Sequence, residues 1–317
     1  MAIGQSSLEI VVALKSVLVT GANGFIGTHL VKYLSDNGVE VVAVVRKQSL
    51  LKESLRSVQQ THIVHCDMKN ISALPQVIKD LGLQNPPEVF IHLAWDGVFA
   101  NNNDSLHQQL ANISNSVAAV KAAAQLDCSR FLFVGSAMQV SQVHLSSCDP
   151  MIVSQRNIYY SAKQMASVCT QLSAKETGLD FVEALVTNAY GPESRSGLVY
   201  STLKSIKDNL PLQFSSGEQD YDFIYIDDVA RALYALAMSG RPDNAYVVGS
   251  STPKALRLYI EDIYALCAPD LTPNFDPEHK AIGLDLELLD FAKLNRETGF
   301  KPLTSFEDGI EKTFYTF

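Results

Sequence analysis

Tyr159 and Lys163 stand four residues apart in Tyr159-Tyr160-Ser161-Ala162-Lys163. On a helix that spacing stacks both side chains on one face. A phenol titrates near pH ~10 and carries protons poorly at neutrality, so an adjacent ammonium is expected to favour the phenolate. Such a pair could give a proton to a carbonyl oxygen or take one from an alcohol. Ser136 is the third candidate. It closes the apolar run Phe131-Leu132-Phe133-Val134-Gly135, where its hydroxyl could hold the reacting oxygen beside Tyr159. Taken singly, a Tyr-x-x-x-Lys spacing or a serine ending a strand arises often by chance. The three gain weight together, because strand ends of a doubly wound sheet are where active sites form.

Elements able to position these groups can be read from the pattern. Short apolar runs at 16–20, 39–45, 62–66, 89–93, 131–135 and 181–185 read as strands. Helical spacing over 25–34, 72–81, 106–125 and 159–177 separates most of them. Strands apolar on both faces and alternating with helices imply a parallel sheet covered on both sides. The fold class expected is α/β: a doubly wound parallel Rossmann sheet with a smaller C-terminal lobe for substrate. The expected division is an extension over 1–14, a cofactor-binding domain over 15–188, and a lobe built mainly from 189–317. A segment of about 223–248 would return to the main sheet.

The first strand meets the first helix through Thr20-Gly21-Ala22-Asn23-Gly24-Phe25-Ile26-Gly27. Gly21 permits the tight turn, Gly24 lets a pyrophosphate approach backbone, and Gly27 lets the helix lie close to the sheet. The helix start offers free N–H groups and the positive end of its dipole to that phosphate. Gly21, Asn23, Gly24, Phe25, Ile26 and Gly27 are therefore the expected dinucleotide turn. At the end of the second strand an acidic residue would bind a ribose 2′-hydroxyl; Arg46 and Lys47 stand there instead. A basic pair suits a 2′-phosphate, so the cofactor expected is NADP(H), with NAD(H) the lesser alternative. Asp67 is a candidate acceptor for the adenine amino group, with Met68 beside it. Leu93 and Ala94, ending the fourth strand, complete the cofactor set.

Bulk properties exclude other classes. The 317 residues are 47% hydrophobic and 19% charged, with a net charge of −9. That balance argues against nucleic acid or an anionic membrane as a partner. Cys66, Cys128, Cys148, Cys169 and Cys267 are odd in number and lack metal-ligand spacing, so buried free thiols are expected and no metal. The apolar run 10–14 is too short for a secretion signal or a membrane span, which makes the cytoplasm the expected location.

Ordered along the chain, these residues resemble the extended short-chain dehydrogenase/reductases, in particular the nucleotide-sugar epimerase, dehydratase and reductase group. The likeness runs from the glycine turn through His92-Leu93-Ala94, Asn112, Ser136, Tyr159 and Lys163. It continues through Asn188-Ala189-Tyr190-Gly191-Pro192 and Asp222-Phe223-Ile224-Tyr225-Ile226-Asp227-Asp228 to Gly299-Phe300-Lys301-Pro302. The resemblance implies Ser136, Tyr159 and Lys163 as catalytic residues, Lys163 also binding cofactor ribose, and Asn188 holding substrate. Departures refine it. Ala137 and Met138 follow Ser136 where the group's dehydratases carry an Asp-Glu pair, so dehydration is not expected. Tyr221 stands where an arginine often grips the substrate diphosphate, and Leu185 replaces another frequent arginine. Trp95, the one tryptophan, takes the place of a small residue and is expected either to shape the substrate or nicotinamide pocket or to pack.

The activity expected is NADPH-dependent reduction of the C4 ketone of a nucleotide-activated 6-deoxyhexose. Trp95, Ser136, Tyr159, Asn188 and Tyr221 are the expected substrate contacts. A C4 epimerase, a reductase of a carbonyl compound without a nucleotide, and a non-catalytic NADP-sensing regulator are the alternatives. The resemblance also implies a homodimer formed by the Asn112 and Tyr159 helices, whose apolar Val117, Val120, Val168 and Leu172 either make that contact or are used against the sheet.

Overall fold

The structure is a computed structural model and describes residues 14–97, 105–141 and 155–316. Cys148 and nearly all of the N-terminal extension fall outside the described residues. In chain order the strands are β1 (Ser16–Thr20), β2 (Glu40–Val45), β3 (Thr61–His65), β4 (Val89–His92), β5 (Arg130–Ser136), β6 (Asp180–Val186), β7 (Asn188–Tyr190), β8 (Gln213–Phe214), β9 (Asp220–Tyr221), β10 (Phe223–Tyr225), β11 (Asn244–Val248), β12 (Lys254–Ala255) and β13 (Asn274–Phe275). The helices are α1 (Phe25–Asp36), α2 (Glu53–Arg56), α3 (Leu74–Asp80), α4 (Ser105–Gln125), α5 (Gln155–Thr177), α6 (Leu198–Lys207), α7 (Ile226–Ser239), α8 (Leu256–Cys267), α9 (Lys293–Thr298) and α10 (Phe306–Tyr315).

Seven strands form one parallel sheet in the order β11-β6-β5-β4-β1-β2-β3. The order reverses between β1 and β4, which places the crevice for a dinucleotide above their C-terminal ends. All five residues of β1 are buried, as are Phe131, Leu132 and Phe133 of β5. Alternate residues face opposite layers. Val17 and Val19 of β1 join Leu30 and Leu34 of α1 and Val229 and Leu233 of α7 on one face. On the other face Leu18, Phe90, Phe131 and Phe133 meet Ala119, Val120 and Ala123 of α4 and Ala166 of α5. Small residues on α4 and α5 let those two helices run closely along each other.

The expected doubly wound sheet is present, with three local differences. Helix α5 begins at Gln155, a full turn before its apolar spacing does. The 68–81 stretch splits into a 3₁₀ segment and α3, with Pro75 in the first turn of α3 where a missing N–H is tolerated. Beyond β6 the alternation gives way to the two-stranded ribbons β10-β7, β12-β9 and β13-β8. Strand β11 then returns to pair in register with β6. Cys66 and Cys128 are buried free thiols, whereas Cys169 and Cys267 are only half-buried. Among the described residues no helix is long and apolar enough to cross a membrane, and no His/Cys/Asp/Glu group could hold a metal ion.

Candidate active site

The glycine turn lies at the switch point. Gly21 has φ +70°, a left-handed conformation, and a Cβ there would sit 2.9 Å from the Ala94 backbone nitrogen. A Cβ on Gly27 would come within 2.2 Å of the Gly21 carbonyl oxygen. Both positions therefore demand glycine. Gly24 begins α1 with no side-chain cap and no acidic residue in the first turn, so the first N–H groups of the helix are left to a ligand. A dinucleotide pyrophosphate fits that cradle. Asn23 braces its rim: Nδ2 donates to the Leu50 carbonyl at 2.9 Å, and Oδ1 accepts from the Lys52 N–H at 2.9 Å. Phe25 and Ile26, half-buried, pack against the core beneath.

Beyond β2, Arg46 and Lys47 are exposed. Arg46 Nη1 lies 3.3 Å from Asp96 Oδ1, an acidic neighbour fifty residues away that local sequence does not reveal. The Lys47 N–H donates to Asp67 Oδ1 at 3.1 Å, which ties the β2 and β3 loops into one rim. Met68 packs against the core layer under that rim. Leu93 and Ala94 follow β4, and the Ala94 N–H donates to Thr20 Oγ1 at 3.3 Å. Beneath them His92 is fully enclosed, its Nδ1 2.9 Å from Thr20 Oγ1 and its Nε2 3.1 Å from Ser116 Oγ. Ser116 Oγ donates to the Asn112 carbonyl, so His92 Nε2 carries the proton and Nδ1 accepts. Burial and the Lys163 charge hold its pKa down to about 3, so the ring is neutral.

Strand β5 and helix α5 bring the proton-transfer residues together. Tyr160 packs on the small cluster that contains Ala137 and Met138, so the segments following Ser136 and carrying Tyr159 share one wall. Trp95 forms another wall. Its ring meets Tyr159 edge-on at 6.1 Å, and Lys163 Nζ sits 4.0 Å above its centroid. Trp95 Nε1 donates to Gln109 Oε1 at 2.9 Å, and Asn112 Nδ2 donates to the Asp96 carbonyl at 2.7 Å. Helix α4 thus fixes the loop that carries the tryptophan.

Lys163 is buried. Its Nζ donates to the Val134 carbonyl at 2.9 Å. Burial brings its pKa down to about 7, partly offset by the carboxylate of Glu183. Tyr159 behaves opposite to the sequence expectation. Burial, and to a lesser degree Tyr160, pushes its phenol above the usual value of 10.0 rather than lowering it. Loss of hydration outweighs an ammonium that is turned toward Val134 and Trp95. The arrangement favours a phenol that keeps its proton until a reacting oxygen takes it.

Asn188 and Tyr221 are carried by the short ribbon strands β7 and β9. Asn188 Nδ2 donates to the Asp222 carbonyl at 3.0 Å and joins β7 to the β9–β10 segment. Tyr221 packs on Phe223 at 5.4 Å between ring centroids. Asp222 is buried against Thr187, 2.7 Å from its Oγ1, and Ser250. Two polar residues behind the site escaped sequence reasoning. Gln139 and Glu183 hydrogen-bond at 2.8 Å, and the Ser136 N–H donates to Gln139 Oε1 at 3.0 Å. The available signal was a lone glutamate inside the apolar strand Asp180-Phe181-Val182-Glu183-Ala184-Leu185-Val186.

This geometry agrees with the comparisons. Residues 17–249 match the NAD dependent epimerase/dehydratase family. The chain belongs to that family. It is an NAD(P)-dependent enzyme of the oxidoreductase type. Similar relatives include a dTDP-4-dehydro-6-deoxy-D-allose reductase of Streptomyces sp, 24% identical with 94% of this chain and 95% of the relative covered. A probable dTDP-glucose 4,6-dehydratase of Sinorhizobium fredii is 28% identical, covering 94% and 91%. Among solved structures, a UDP-N-acetylglucosamine 4-epimerase of Methanobrevibacter ruminantium superposes with a TM-score of 0.78 at 22% identity, covering 95% of this chain and 97% of that one. A Bordetella bronchiseptica enzyme in complex with NAD gives a TM-score of 0.76 at 17% identity, covering 96% and 94%. These structural likenesses carry the fold of this epimerase/dehydratase-family enzyme.

Proposed function

We propose that the protein reduces the C4 ketone of a nucleotide-activated 6-deoxyhexose, with NADPH as the reductant and Tyr159 as the proton donor. The observation that carries this reading is the environment of Ser136 and Tyr159. Ala137 and Met138 are buried in an apolar cluster with Leu185, Val247 and Leu284, so the positions after Ser136 hold no acid or base for eliminating water. Tyr159 is meanwhile held as a neutral phenol, the form that donates. The Streptomyces relative is named for a reduction of this kind.

When bound, the dinucleotide supplies the hydride. Ser136 Oγ donates a hydrogen bond to the carbonyl oxygen, and Tyr159 Oη–H gives that oxygen its proton as negative charge develops there. Lys163 binds ribose hydroxyls and places a positive charge beside the phenolate that remains. Trp95 excludes water from the pair. Gly21, Gly24 and Gly27 with the start of α1 would hold the pyrophosphate, Asp67 the adenine, and Arg46 and Lys47 the 2′-phosphate. Residues 15–188 with the returning segment of about 223–248 would form the cofactor domain, and the remainder of 189–317 the substrate lobe.

A C4 epimerase is the second reading. It draws on Asp96, which shares Arg46 with any 2′-phosphate, and on the NAD named for the Bordetella structure. Tyr221 in place of a cationic side chain keeps a substrate without a diphosphate as a third. We also propose a homodimer. Leu106 and Leu110 of α4 and Met165, Val168 and Leu172 of α5 are exposed on the outer face. Val120 is wholly buried against the sheet, the alternative use its apolar character left open.

The deciding experiment mixes purified protein with a dTDP-4-keto-6-deoxyhexose and NADPH. Stoichiometric loss of NADPH and formation of a single 4-hydroxy sugar are expected. Protein that purifies with bound NAD and interconverts C4 epimers without net cofactor consumption would overturn the reductase.

A further inference from the structure

Glu183 is a carboxylate at the midpoint of β6, the second strand from one edge of the seven-stranded sheet, and is 7% exposed. A charge so placed is strongly unfavourable unless donors and an opposite charge meet it. Donors meet it on both oxygens: Oε1 accepts from Gln139 Nε2 at 2.8 Å, and Oε2 accepts from Ser167 Oγ at 2.7 Å. Burial pushes the Glu183 carboxyl above the usual carboxylate range, and these two donors and the Lys163 charge pull it back toward the ionised form. Gly135 makes the room, because a Cβ on it would lie 2.7 Å from Glu183 Oε1 and 2.8 Å from Gln139 Oε1. Gln139 passes the restraint forward by accepting the Ser136 N–H at 3.0 Å. Ser167 stands one helical turn beyond Lys163 on the same inward face of α5.

We propose that Glu183 is a positioning residue for the proton-transfer site, fixing the Ser136 turn through Gln139 and supplying the internal counter-charge to the Lys163 ammonium. The inference rests on Lys163 being the cation of the site proposed above. Glu183 touches no reacting atom, since it sits behind β5, and it acts through the residues it holds. The titratable groups around Lys163 are few among the described residues. Strand β4 contributes His92, whose neutrality the Lys163 charge reinforces. Helix α5 contributes Tyr159 and Tyr160, and the α4 side offers the uncharged Gln109, Asn112 and Ser116. Asp96 in the Trp95 loop pairs with Arg46. Strand β6 contributes Glu183, whose negative charge raises the proton affinity of Lys163 and is itself favoured by Lys163. Removing that charge must make Lys163 easier to deprotonate.

The test is a direct titration of Lys163 in the full-length apoprotein. Side-chain carbon NMR of labelled lysines reads each amine, and Lys163→Met identifies the Lys163 signal by its loss. Glu183→Gln keeps size and most hydrogen bonds while removing the charge. The Lys163 midpoint is expected to fall by about one pH unit, leaving about a tenth of it charged near neutrality. The alkaline limb of NADPH-dependent turnover should move by the same amount in the same direction. Should Glu183→Gln fold poorly, the double variant Gln139→Leu with Glu183→Leu refills the pocket with apolar volume, a change that buried polar groups often tolerate. It should show the same lowered midpoint. An unchanged Lys163 midpoint in a folded variant, with only melting temperature altered, overturns the inference and leaves Glu183 a structural plug. Because the NMR titration needs neither substrate nor cofactor, absence of keto-sugar reduction would count against the proposed function alone.

Discussion

Two cations lie at the two ends of the proposed site, and their surroundings are opposite. Lys163 is 5% exposed, bonded to the Val134 carbonyl, and covered by the Trp95 ring. The Arg46 side chain is 70% exposed and paired with an Asp96 carboxylate that is itself half in water. The same unit of charge therefore has different leverage at each end. Near Lys163 the medium screens little and a small displacement changes a proton affinity; near Arg46 water and salt screen most of the field. On the proposed reading, chemistry would sit where charge is undiluted, and recognition of a 2′-phosphate where it is weak and adjustable.

The largest effect expected from that contrast is at Tyr159, which shares the enclosed end. Tyr159→Phe removes the proton and leaves the ring between Trp95 and Tyr160. Turnover should fall about 100- to 10,000-fold, the range of a lost general acid. NADPH affinity, measured by equilibrium titration, should change less than about twofold. Burial raises the phenol above its ordinary value, so Tyr159 stays protonated through neutral pH. Carbonyl reduction should not lose activity through this group below pH ~10, whereas alcohol oxidation, which needs the phenolate, should climb with pH. Oxidation that stays flat with pH would remove Tyr159 as the proton carrier.

Lys163→Met is expected next, with losses in both activity and stability. Turnover should drop about 10- to 100-fold through loss of the charge beside the phenolate. Folding stability at neutral pH should fall by up to about 3–5 kcal/mol, because methionine leaves the Glu183 carboxylate buried without its counter-charge. Linkage gives the pH window. Lys163 titrates near 7 when folded against 10.5 unfolded, so between those values the unfolded chain holds a proton that the folded one lacks. Wild-type stability gains a positive slope with pH across that window, and the Met variant should lose that slope in denaturant titrations. A variant as stable as wild type would mean that Glu183 is not the counter-charge of Lys163.

How much of this was open to sequence reasoning follows from how local each cause is. The glycine turn was legible because Gly21, Gly24 and Gly27 act within one strand–helix junction. The sheet was legible because valine and phenylalanine fill β1, β2 and β5 on both faces. Ser136, Tyr159 and Lys163 were nameable by type and spacing, but their energetics were not. The proton affinity of Tyr159 depends on how far Trp95 and the α4 side chains exclude water, a property of packing across the chain. Gln139 and Glu183 were visible as polar residues in apolar company. Their partnership arises only from the β5–β6 register, which sets Gly135 opposite Leu185 and opens space beside Glu183. The substrate lobe was the least legible, since ribbons of two and three residues such as β8, β9 and β12 are too short to show a period.

At the exposed end the expected effects are smaller and depend on salt. Arg46→Asp places a carboxylate where a 2′-phosphate would lie and supplies the acidic group that binds a ribose 2′-hydroxyl. The ratio of kcat/KM for NADPH over NADH should fall about tenfold or more. An unchanged ratio would remove Arg46 from the cofactor site.

Asp96→Asn is the finer probe, because it leaves Arg46 in place and removes its competitor. If the 3.3 Å pair with Asp96 Oδ1 must loosen for a 2′-phosphate to bind, the variant should bind NADPH about two- to fivefold more tightly, the scale of an exposed ion pair. NADH, with no phosphate at that carbon, should bind as before. Raising ionic strength from low to about 0.5 M should shrink the NADPH gain toward nothing, since exposed charges are screened within a few ångströms there. A gain that appears equally for NADH would show that Asp96 acts through the Trp95 loop, where its backbone is bonded to Asn112 and Gln109. In that case the two ends of the crevice are mechanically joined and not merely electrostatically different.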